Sequence, residues 1–388
     1  GGWDSIEGYT GDDTINLDDA TGGYDIFYDE LDDVSQTINI DLSVSGSEIV
    51  EKLDGTTVVG TDTLNGISAL DFYNSAWLAF GGTSGVDTYL GADVDPVNGS
   101  IWDSFVEVYL GGGNDVITGG TGFDQISHYD AFTGIVANLG ITSINMTSLV
   151  DPSFYNLDVD NIADALQVRD GQGGVDDVSG GGIDGIRGTE FNDIMIGGDA
   201  DEHFTTGGGT NYVDGGLGDR DVIRYDRSGV ASVQVNLETG VATGVWDGAA
   251  FSDTLLNIEE VRGSGGDDLI TGSNGDDRLD GGGGNDTIHT GSNTNQTTGG
   301  WDTIIGSTGN DNIILDDADG GYVFAYWRLD GSETISIDLS VAGSEKVDKF
   351  DLSATPLLVG TDTITGINTL AVANDLAWIE FDGTSGND

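Results

Sequence analysis

The sequence has no cysteine, and its 388 residues include only three prolines, three histidines and eleven basic residues. Without cysteine the chain can form no disulfide framework, thiol nucleophile or thiolate metal site. No run of 18 apolar residues occurs, so no transmembrane helix is expected. Neither a G-x-S-x-G nor an H-E-x-x-H motif is present, and the three histidines stand far apart. These absences predict a protein that is not an enzyme.

Basic residues are outnumbered by 69 acidic ones, which gives a formal net charge of −58. A polyanion repels nucleic acids and anionic membranes, so we expect no nucleic-acid partner and no membrane insertion. A chain of such charge is typically disordered unless cations neutralise it. The composition therefore predicts that folding depends on bound cations.

Glycine is abundant, with 65 residues, and it recurs in a nine-residue motif, G-G-x-G-x-D-x-U-x, in which U is a large apolar residue. The motif comprises a six-residue turn, where glycine permits positive φ, and a three-residue strand such as 269–271. Alternation along that strand sends Ile270 inward and its neighbours outward. Ten matches in phase are too many for ordinary loops. The blocks lie near 8–16, 82–127, 188–223 and 263–314.

Three motifs abut at 263–289, and their physics predicts a stack of coils. Two motifs would close one flattened coil, and successive coils would stack as parallel strands about 4.8 Å apart. One large apolar residue per motif makes a thin core. Asp268 and Asp286 would lie one above the other at the same edge, and their carboxylates would repel each other without a divalent cation between them. Hard oxygen ligands and glycine carbonyls favour calcium, so folding would be coupled to metal.

Four longer segments separate the motif blocks, and we expect them to continue the stack as coils with longer strands. Each begins with an aromatic and charged cluster and goes on with an alternating stretch such as 38–44. The clusters are FYDE at 27–30, HYDA at 128–131, RYDR at 224–227 and AYWR at 325–328.

A longer repeat lies above the nine-residue one. Residues 2–23 match residues 300–321 at 15 of 22 positions. We therefore predict one large unit at 1–298 and the start of a second copy at 299–388, equivalent to 1–87, within one continuous solenoid. We also expect the chain to be an excerpt of a longer polypeptide.

These motifs, together with spacers such as SVQVNLETGVATG at 232–244, resemble the RTX family of bacterial proteins over nearly the whole chain. The resemblance implies an all-β parallel β-roll or β-helix solenoid, with calcium bound between stacked turns at roughly one ion per well-formed turn. Three turns depart from the motif, because Glu202 and Asn211 replace the aspartate and one extra residue precedes Asp221. The implied ligands are Asp13, Asp87, Asp115, Asp124, Asp193, Asp221, Asp268, Asp277, Asp286, Asp302, Asp311 and Asp388.

The resemblance further implies type I secretion and an extracellular or cell-surface location, but it leaves the function open. We favour a non-enzymatic structural module of a long surface protein, meaning an adhesin, sheath, surface layer or filament, whose partners are calcium and further copies of itself. The large repeat supports this, because fibrous proteins grow by repetition. The alternatives are the noncatalytic roll of a secreted epimerase, lipase or protease, and a module that binds cell-surface glycans.

Side chains that could carry a ligand other than calcium are the histidines and tryptophans. We expect His128 to be structural and His289 to be solvated, and His203 has no partner for a zinc site. Trp3 and Trp301 are equivalent in the large repeat, as are Trp77 and Trp378, and all four are predicted to pack in the spacers. Trp102 and Trp246 are the better candidates for exposed, sugar-stacking rings.

Overall fold

The computed structural model describes the chain in two compact units. Unit 1 comprises residues 1–207 and 216–218, and unit 2 comprises residues 208–215 and 219–388. The described residues are 2–19, 21–29, 31, 35–67, 70, 76–91, 106–150, 161–291, 301–316, 321–326, 329, 333–343, 345–351, 353, 356–367 and 378–384.

Short strands make up nearly all of the regular structure in the described residues of unit 1. One 3-10 turn, Met146–Ser148, is also present. The strands are β1 (Trp3–Glu7), β2 (Thr14–Asn16), β3 (Gly23–Phe27), β4 (Gln36–Asp41), β5 (Glu48–Asp54), β6 (Thr57–Asn65), β7 (Trp77–Gly81), β8 (Thr88–Leu90), β9 (Val106–Tyr109), β10 (Val116–Thr118), β11 (Asp124–Ser127), β12 (Val136–Asn138), β13 (Ile144–Asn145), β14 (Ile162–Ala163), β15 (Gln167–Arg169), β16 (Val175–Asp177), β17 (Gly185–Arg187), β18 (Ile194–Ile196) and β19 (His203–Thr205).

Unit 2 is built in the same way. Its strands are β20 (Thr210–Asp214), β21 (Val222–Arg224), β22 (Val230–Asn236), β23 (Val241–Trp246), β24 (Ala249–Leu256), β25 (Glu260–Arg262), β26 (Leu269–Thr271), β27 (Arg278–Asp280), β28 (Thr287–His289), β29 (Trp301–Ile305), β30 (Asn312–Ile314), β31 (Gly321–Ala325), β32 (Glu333–Asp338), β33 (Glu345–Asp351), β34 (Leu358–Thr365) and β35 (Trp378–Asp382).

Parallel sheets run through each unit. In unit 1 one face is ordered β1-β3-β7-β9-β11-β17-β19, and in unit 2 the corresponding face is ordered β21-β25-β27-β29-β31-β35. The opposite face of unit 2 contains the parallel series β26-β28-β30-β34. Each coil thus contributes one strand to each face, so the predicted all-β parallel roll is confirmed.

The run at 263–289 shows the predicted coil most clearly. Leu269 pairs with Thr287 and Ile270 with Ile288, so two motifs make one turn of the stack. Ile270 is 0% exposed and Ile288 1% exposed, whereas Leu269 is 40% exposed. The core is therefore a narrow column of single apolar side chains between the two faces, as the motif predicts.

The spacers differ from the prediction, because they form antiparallel hairpins and not simple longer coils. In unit 1 the strand order is β2-β6-β5-β4-β8, with β5 antiparallel to both of its neighbours. Unit 2 contains β20-β24-β23-β22-β26 and β30-β34-β33-β32 in the same arrangement. Each spacer thus inserts a middle strand between parallel coils.

Turn chemistry explains one of these hairpins. Asp247 and Gly248 join β23 to β24 with φ of 47° and 83°, and a two-residue type I′ turn requires positive φ at both positions. The Asp-Gly pair is a strong hairpin signal in the sequence.

Among the described residues no helix is long and apolar enough to cross a bilayer.

Candidate calcium-binding turns

In several motifs the carboxylate of the sixth residue closes its own turn. In the turn 263–268 the Oδ2 atom of Asp268 accepts the Ser264 backbone N–H at 2.5 Å, and its Oδ1 atom accepts the Ser264 hydroxyl at 2.8 Å. Asp277 with Ser273, Asp87 with Thr83 and Asp193 with Thr189 repeat this arrangement. A hydroxyl at the second position of the motif therefore helps to orient the carboxylate.

The same carboxylates also tie each coil to the one before it. The Asp268 backbone N–H donates to Asp286 Oδ1 at 2.8 Å, and the Asp286 N–H donates to Asp311 Oδ1 at 3.0 Å. At the other edge the Asp277 N–H donates to Asp302 Oδ1 at 3.1 Å. The predicted superposition of Asp268 and Asp286 is therefore present, as one step of a carboxylate ladder.

The ladder also includes spacer residues that the sequence did not predict as ligands. In unit 1 the Asp115 N–H donates to Asp176 Oδ1 at 3.0 Å, and the Asp124 N–H donates to Asp184 Oδ2 at 2.9 Å. In the first coil the Asp13 N–H donates to Asp62 Oδ1 at 3.0 Å. Asp62, Asp176 and Asp184 each lie in a half motif, G-x-D-x-U-x, which is the signal that could have revealed them.

Burial and crowding of these carboxylates shift their titration strongly. Burial, with the neighbouring Asp176 carboxylate, raises the pKa of Asp115 to about 9. Burial raises the pKa of Asp286 to about 8 and that of Asp277 to about 7. The protein therefore places carboxylates where their charged form is costly unless a cation lies beside them.

Two buried carboxylate oxygens among the described residues of unit 1 lack a hydrogen-bond partner. Asp115 Oδ2 and Asp170 Oδ2 are buried and accept no hydrogen bond within the described residues. Yet no three acidic or histidine side chains in the described part of the chain converge as a metal site. A calcium ion here would therefore need backbone oxygens as well as carboxylates.

The glycine turns supply such backbone oxygens. A Cβ atom on Gly113 would lie 1.9 Å from the Gly85 carbonyl oxygen, and one on Gly174 would lie 1.4 Å from the Gly113 carbonyl oxygen. Carbonyls of successive turns thus point at the next turn along the edge, and only glycine leaves room for them. These three turns line a groove of about 500 Å³ beside Phe132.

At two turns the ammonium group of a lysine side chain is surrounded by carbonyl and carboxylate oxygens, and we call this arrangement an oxygen cradle. Lys349 Nζ is 3.0 Å from Asp311 Oδ2 and 2.7 Å from Asp362 Oδ1, and Lys52 Nζ is 2.7 Å from Asp62 Oδ1. These contacts show that carbonyls and ladder carboxylates together accept a cation. The donor set is oxygen only, which suits calcium at the turns without lysine.

The three turns that depart from the motif are closed, or linked to the next coil, by other side chains. Glu202 Oε2 accepts the Gly198 N–H at 3.0 Å, so glutamate also closes a turn. The Asp221 N–H donates to Glu259 Oε2 at 2.9 Å, which continues the ladder with a glutamate. Asn211 donates through Nδ2 to Asp253 Oδ1 at 2.7 Å. The predicted ligand Asp388 lies outside the described residues.

None of the histidines adjoins a metal-like cluster in the described residues. Burial lowers the pKa of His128 to about 4, and the His203 ring packs edge-on against Phe123 at 4.7 Å. His289 Nδ1 lies 2.9 Å from Asp316 Oδ2 and is partly exposed. The burial of His128 agrees with the predicted structural role, and the partial exposure of His289 agrees with the predicted contact with solvent.

The tryptophan predictions fare differently. Trp3 and Trp301 are 65% and 49% exposed, so the prediction that they are packed away is wrong. They begin strands β1 and β29, where the ring covers the face of Gly23 or Gly321 and leaves its other side to solvent. Trp246 lies 4.4 Å beneath the Arg227 guanidinium. Trp102 and the Trp378 side chain lie outside what the structure describes.

Comparison with known proteins agrees with this geometry. The family model of the RTX calcium-binding nonapeptide repeat matches residues 1–21, 107–127, 187–222, 262–297 and 296–319. No curated protein matches the chain. The matched segments contain most of the turns in which carboxylates stack, although not the turn of Asp87, and such repeats bind calcium in general. These segments of the chain therefore contain RTX calcium-binding nonapeptide repeats.

Proposed function

We propose that this chain is a non-enzymatic, calcium-dependent structural module of a long secreted bacterial surface protein. The observation that carries the proposal is the ladder of buried carboxylates, in which Asp87, Asp115 and Asp176 follow one another at one edge. Stacked carboxylates with raised pKa values destabilise a thin-cored fold unless cations neutralise them.

Calcium would be held by ladder carboxylates and by the turn carbonyls that approach the next glycine. It would supply charge neutralisation and cross-linking of adjacent coils. About a dozen ions would contribute roughly +24 against the net charge of −58, which neutralises close to half of the excess charge. The acidic composition and the calcium sites are then two parts of one device.

The surface role rests on the large repeat. In β1 and β3, Trp3 pairs with Gly23, and in β29 and β31, Trp301 pairs with Gly321. This equivalence supports a large unit at 1–298 that restarts at 299, as in proteins that extend by tandem copies. RTX repeats are typical of secreted proteins, which supports type I secretion and an extracellular adhesin, sheath or filament.

The glycan-binding alternative is favoured by one specific observation. Trp3 and Trp301 expose large aromatic faces at equivalent positions, and exposed rings can stack on sugars. A glycan array in saturating calcium tests it. Binding that disappears in a double Trp3→Ala and Trp301→Ala variant would support this alternative over a purely structural role.

The experiment for calcium dependence compares the chain in excess calcium and in excess chelator. Circular dichroism should lose its β signal in chelator, and the hydrodynamic radius should increase, because metal binding and folding are linked. Unchanged spectra and an unchanged radius in chelator would rule the proposal out. Electron microscopy of the calcium-loaded full-length protein should show rods or ordered sheets, whereas compact particles with a catalytic domain would favour the enzyme-module alternative.

Asp277→Ala tests an individual site in the run at 263–289. The substitution removes a carboxylate that is 2% exposed and closes its own turn, so we expect one bound calcium fewer and a higher calcium midpoint for folding. Asp18→Ala, at an exposed position outside the turns, is the control. Equal stoichiometry and midpoint in the two variants would contradict the assignment of Asp277.

A further inference from the structure

We propose that Lys52 and Lys349 are built-in replacements for calcium, so that the turns at 8–13 and 306–311 bind a lysine ammonium and no metal ion. The inference rests on the proposed calcium-binding function of the other turns. It assigns Asp13 and Asp311 a lysine partner in place of the calcium that the motif predicts.

The oxygen cradle around Lys349 is the more complete of the two. Its Nζ atom lies 2.5 Å from the Ser307 carbonyl oxygen and 3.2 Å from the Gly309 carbonyl oxygen. It lies 3.0 Å from Asp311 Oδ2 and 2.7 Å from Asp362 Oδ1. Two turn carbonyls and two ladder carboxylates from successive coils thus surround a side chain that is 1% exposed. Such a mixture of backbone and carboxylate oxygens is what calcium requires.

Lys52 makes the equivalent contacts in unit 1. Its Nζ atom donates to the Tyr9 carbonyl, lies 3.0 Å from the Gly11 carbonyl oxygen and 3.3 Å from Asp13 Oδ2. It also lies 2.7 Å from Asp62 Oδ1. In both turns the carbonyls belong to the second and fourth residues of the motif, and the carboxylates belong to the sixth residue and to the spacer.

The spacer hairpins deliver these lysines. Lys52 lies on the middle strand β5 opposite Gly60, and Lys349 lies on β33 opposite Gly360. A Cβ atom on Gly60 or Gly360 would lie 2.3 Å from the carbonyl oxygen of the fourth turn residue. Glycine at this position therefore lets the lysine stem pass over the partner strand and reach the turn.

The third hairpin of the same topology is an internal control. There the turn residue is the neutral Asn211, and its ladder partner is Asp253. The position that corresponds to Lys52 is Gly244, and Phe251 stands opposite it in place of glycine. Where the turn loses its charge, the hairpin loses its lysine, and the Phe251 ring stacks on Tyr225 at 5.6 Å instead. The lysine is therefore not a fixed part of the hairpin. In the hairpin β12-β15-β16 of unit 1 the turn pair Asp115 and Asp176 is charged but no lysine follows, so that turn is left to calcium.

Composition makes this placement significant. The whole chain contains three lysines, Lys52, Lys346 and Lys349, among 388 residues. Two of them lie buried in turn cradles, although buried lysine is rare unless it is paired. The third, Lys346, has a side chain that is 41% exposed and pairs with Asp348 on the same strand. It provides a matched control for removing a lysine charge.

The test counts calcium ions bound per chain at neutral pH in Lys349→Met, Lys52→Met and Lys346→Met by equilibrium dialysis. Methionine keeps an unbranched stem and removes the charge. Lys349→Met and Lys52→Met should each bind one calcium more than the wild-type chain, because an empty cradle of four oxygens is left. Lys346→Met should bind the wild-type number.

Wild-type stoichiometry in both cradle variants would overturn the inference. Failure of both variants to fold at saturating calcium would also overturn the inference, because it would show that calcium does not replace the ammonium group. Lys52→Met should destabilise the fold less than Lys349→Met, because the Asp13 side chain is 52% exposed and water can solvate its charge. A wild-type chain that binds no calcium would instead overturn the proposed function, and the lysine inference would then fail only if Lys349→Met also bound none.

Discussion

The run at 263–289 and the hairpin coil that contains Lys349 share one carboxylate ladder in unit 2 but balance its charge in different ways. The ladder runs from Asp268 through Asp286 to Asp311 and Asp362. Within the run the Asp268 and Asp286 carboxylates accept hydroxyl and backbone N–H groups, whereas the Lys349 ammonium lies between the last two carboxylates of the ladder. The same turn geometry can therefore be neutralised by a metal from solution or by a side chain from the next hairpin.

The difference teaches that the motif letters alone do not identify a calcium site. GSTGND at 306–311 fits the motif as well as GSGGDD at 263–268 does. Their partners differ because a spacer follows the first and another motif follows the second. What lies one coil further along decides the chemistry of a turn.

The largest expected effect is the pH dependence of folding without calcium. Burial raises the folded-state pKa of Asp115 to about 9 and of Asp286 to about 8, well above the ordinary value of 3.8. The folded state therefore binds more protons than the unfolded state between about pH 4 and 9, so the calcium-free fold should lose stability as the pH rises through this range. Circular dichroism in chelator should show β structure returning on acidification.

With saturating calcium the dependence should reverse. Protons compete with calcium for the carboxylates, so acidification should then raise the calcium midpoint of folding. A calcium-free chain whose β signal is flat between pH 9 and pH 5 would contradict the assignment of raised pKa values to the ladder.

Asn211→Asp should give the next largest effect, because it breaks the internal control. The Asn211 amide donates to Asp253 Oδ1, and the substitution places two buried carboxylates against each other without a lysine. We expect a loss of about 3 to 5 kcal/mol in the free energy of unfolding at a calcium concentration just sufficient to fold the wild-type chain, and a smaller loss at saturating calcium, where an ion can neutralise the pair. Adding Gly244→Lys with Phe251→Gly should recover part of it.

Chemical denaturation of these variants is the measurement, with Asn274→Asp, at an exposed turn position, as control. The control should change stability by no more than about 0.5 kcal/mol. An Asn211→Asp variant as stable as the control would show that neutrality at this turn is incidental.

The smallest effect concerns the glycines of the run. A Cβ atom on Gly266 would lie 1.9 Å from the Ala231 carbonyl oxygen, whereas one on Gly265 would meet no atom within 4 Å. Gly266→Ala should therefore lower the free energy of unfolding by about 1 to 3 kcal/mol. Gly265→Ala should change it by no more than about 0.5 kcal/mol. Thermal unfolding in calcium measures both. Equal melting temperatures would mean that carbonyls do not approach the turns this closely.

Much of the repeating fold could be predicted from the sequence. The period of nine, the inward Ile270 and Ile288 and the stacking of Asp268 on Asp286 follow from local rules, since turn, strand and alternation are set within a few residues. The hairpins were also encoded, in pairs such as Asp247 and Gly248, but the prediction of longer coils overlooked that signal.

The sequence by itself determined an acidic, thin-cored stack of glycine turns, because charge, composition and period are properties of the chain alone. Only the tertiary structure decided which spacer carboxylates and which lysines join the ladder. Asp13 meets Asp62 and Lys52, which are 49 and 39 residues away along the chain. That meeting depends on strand register across an inserted antiparallel strand, and register is a long-range property that no nine-residue motif contains.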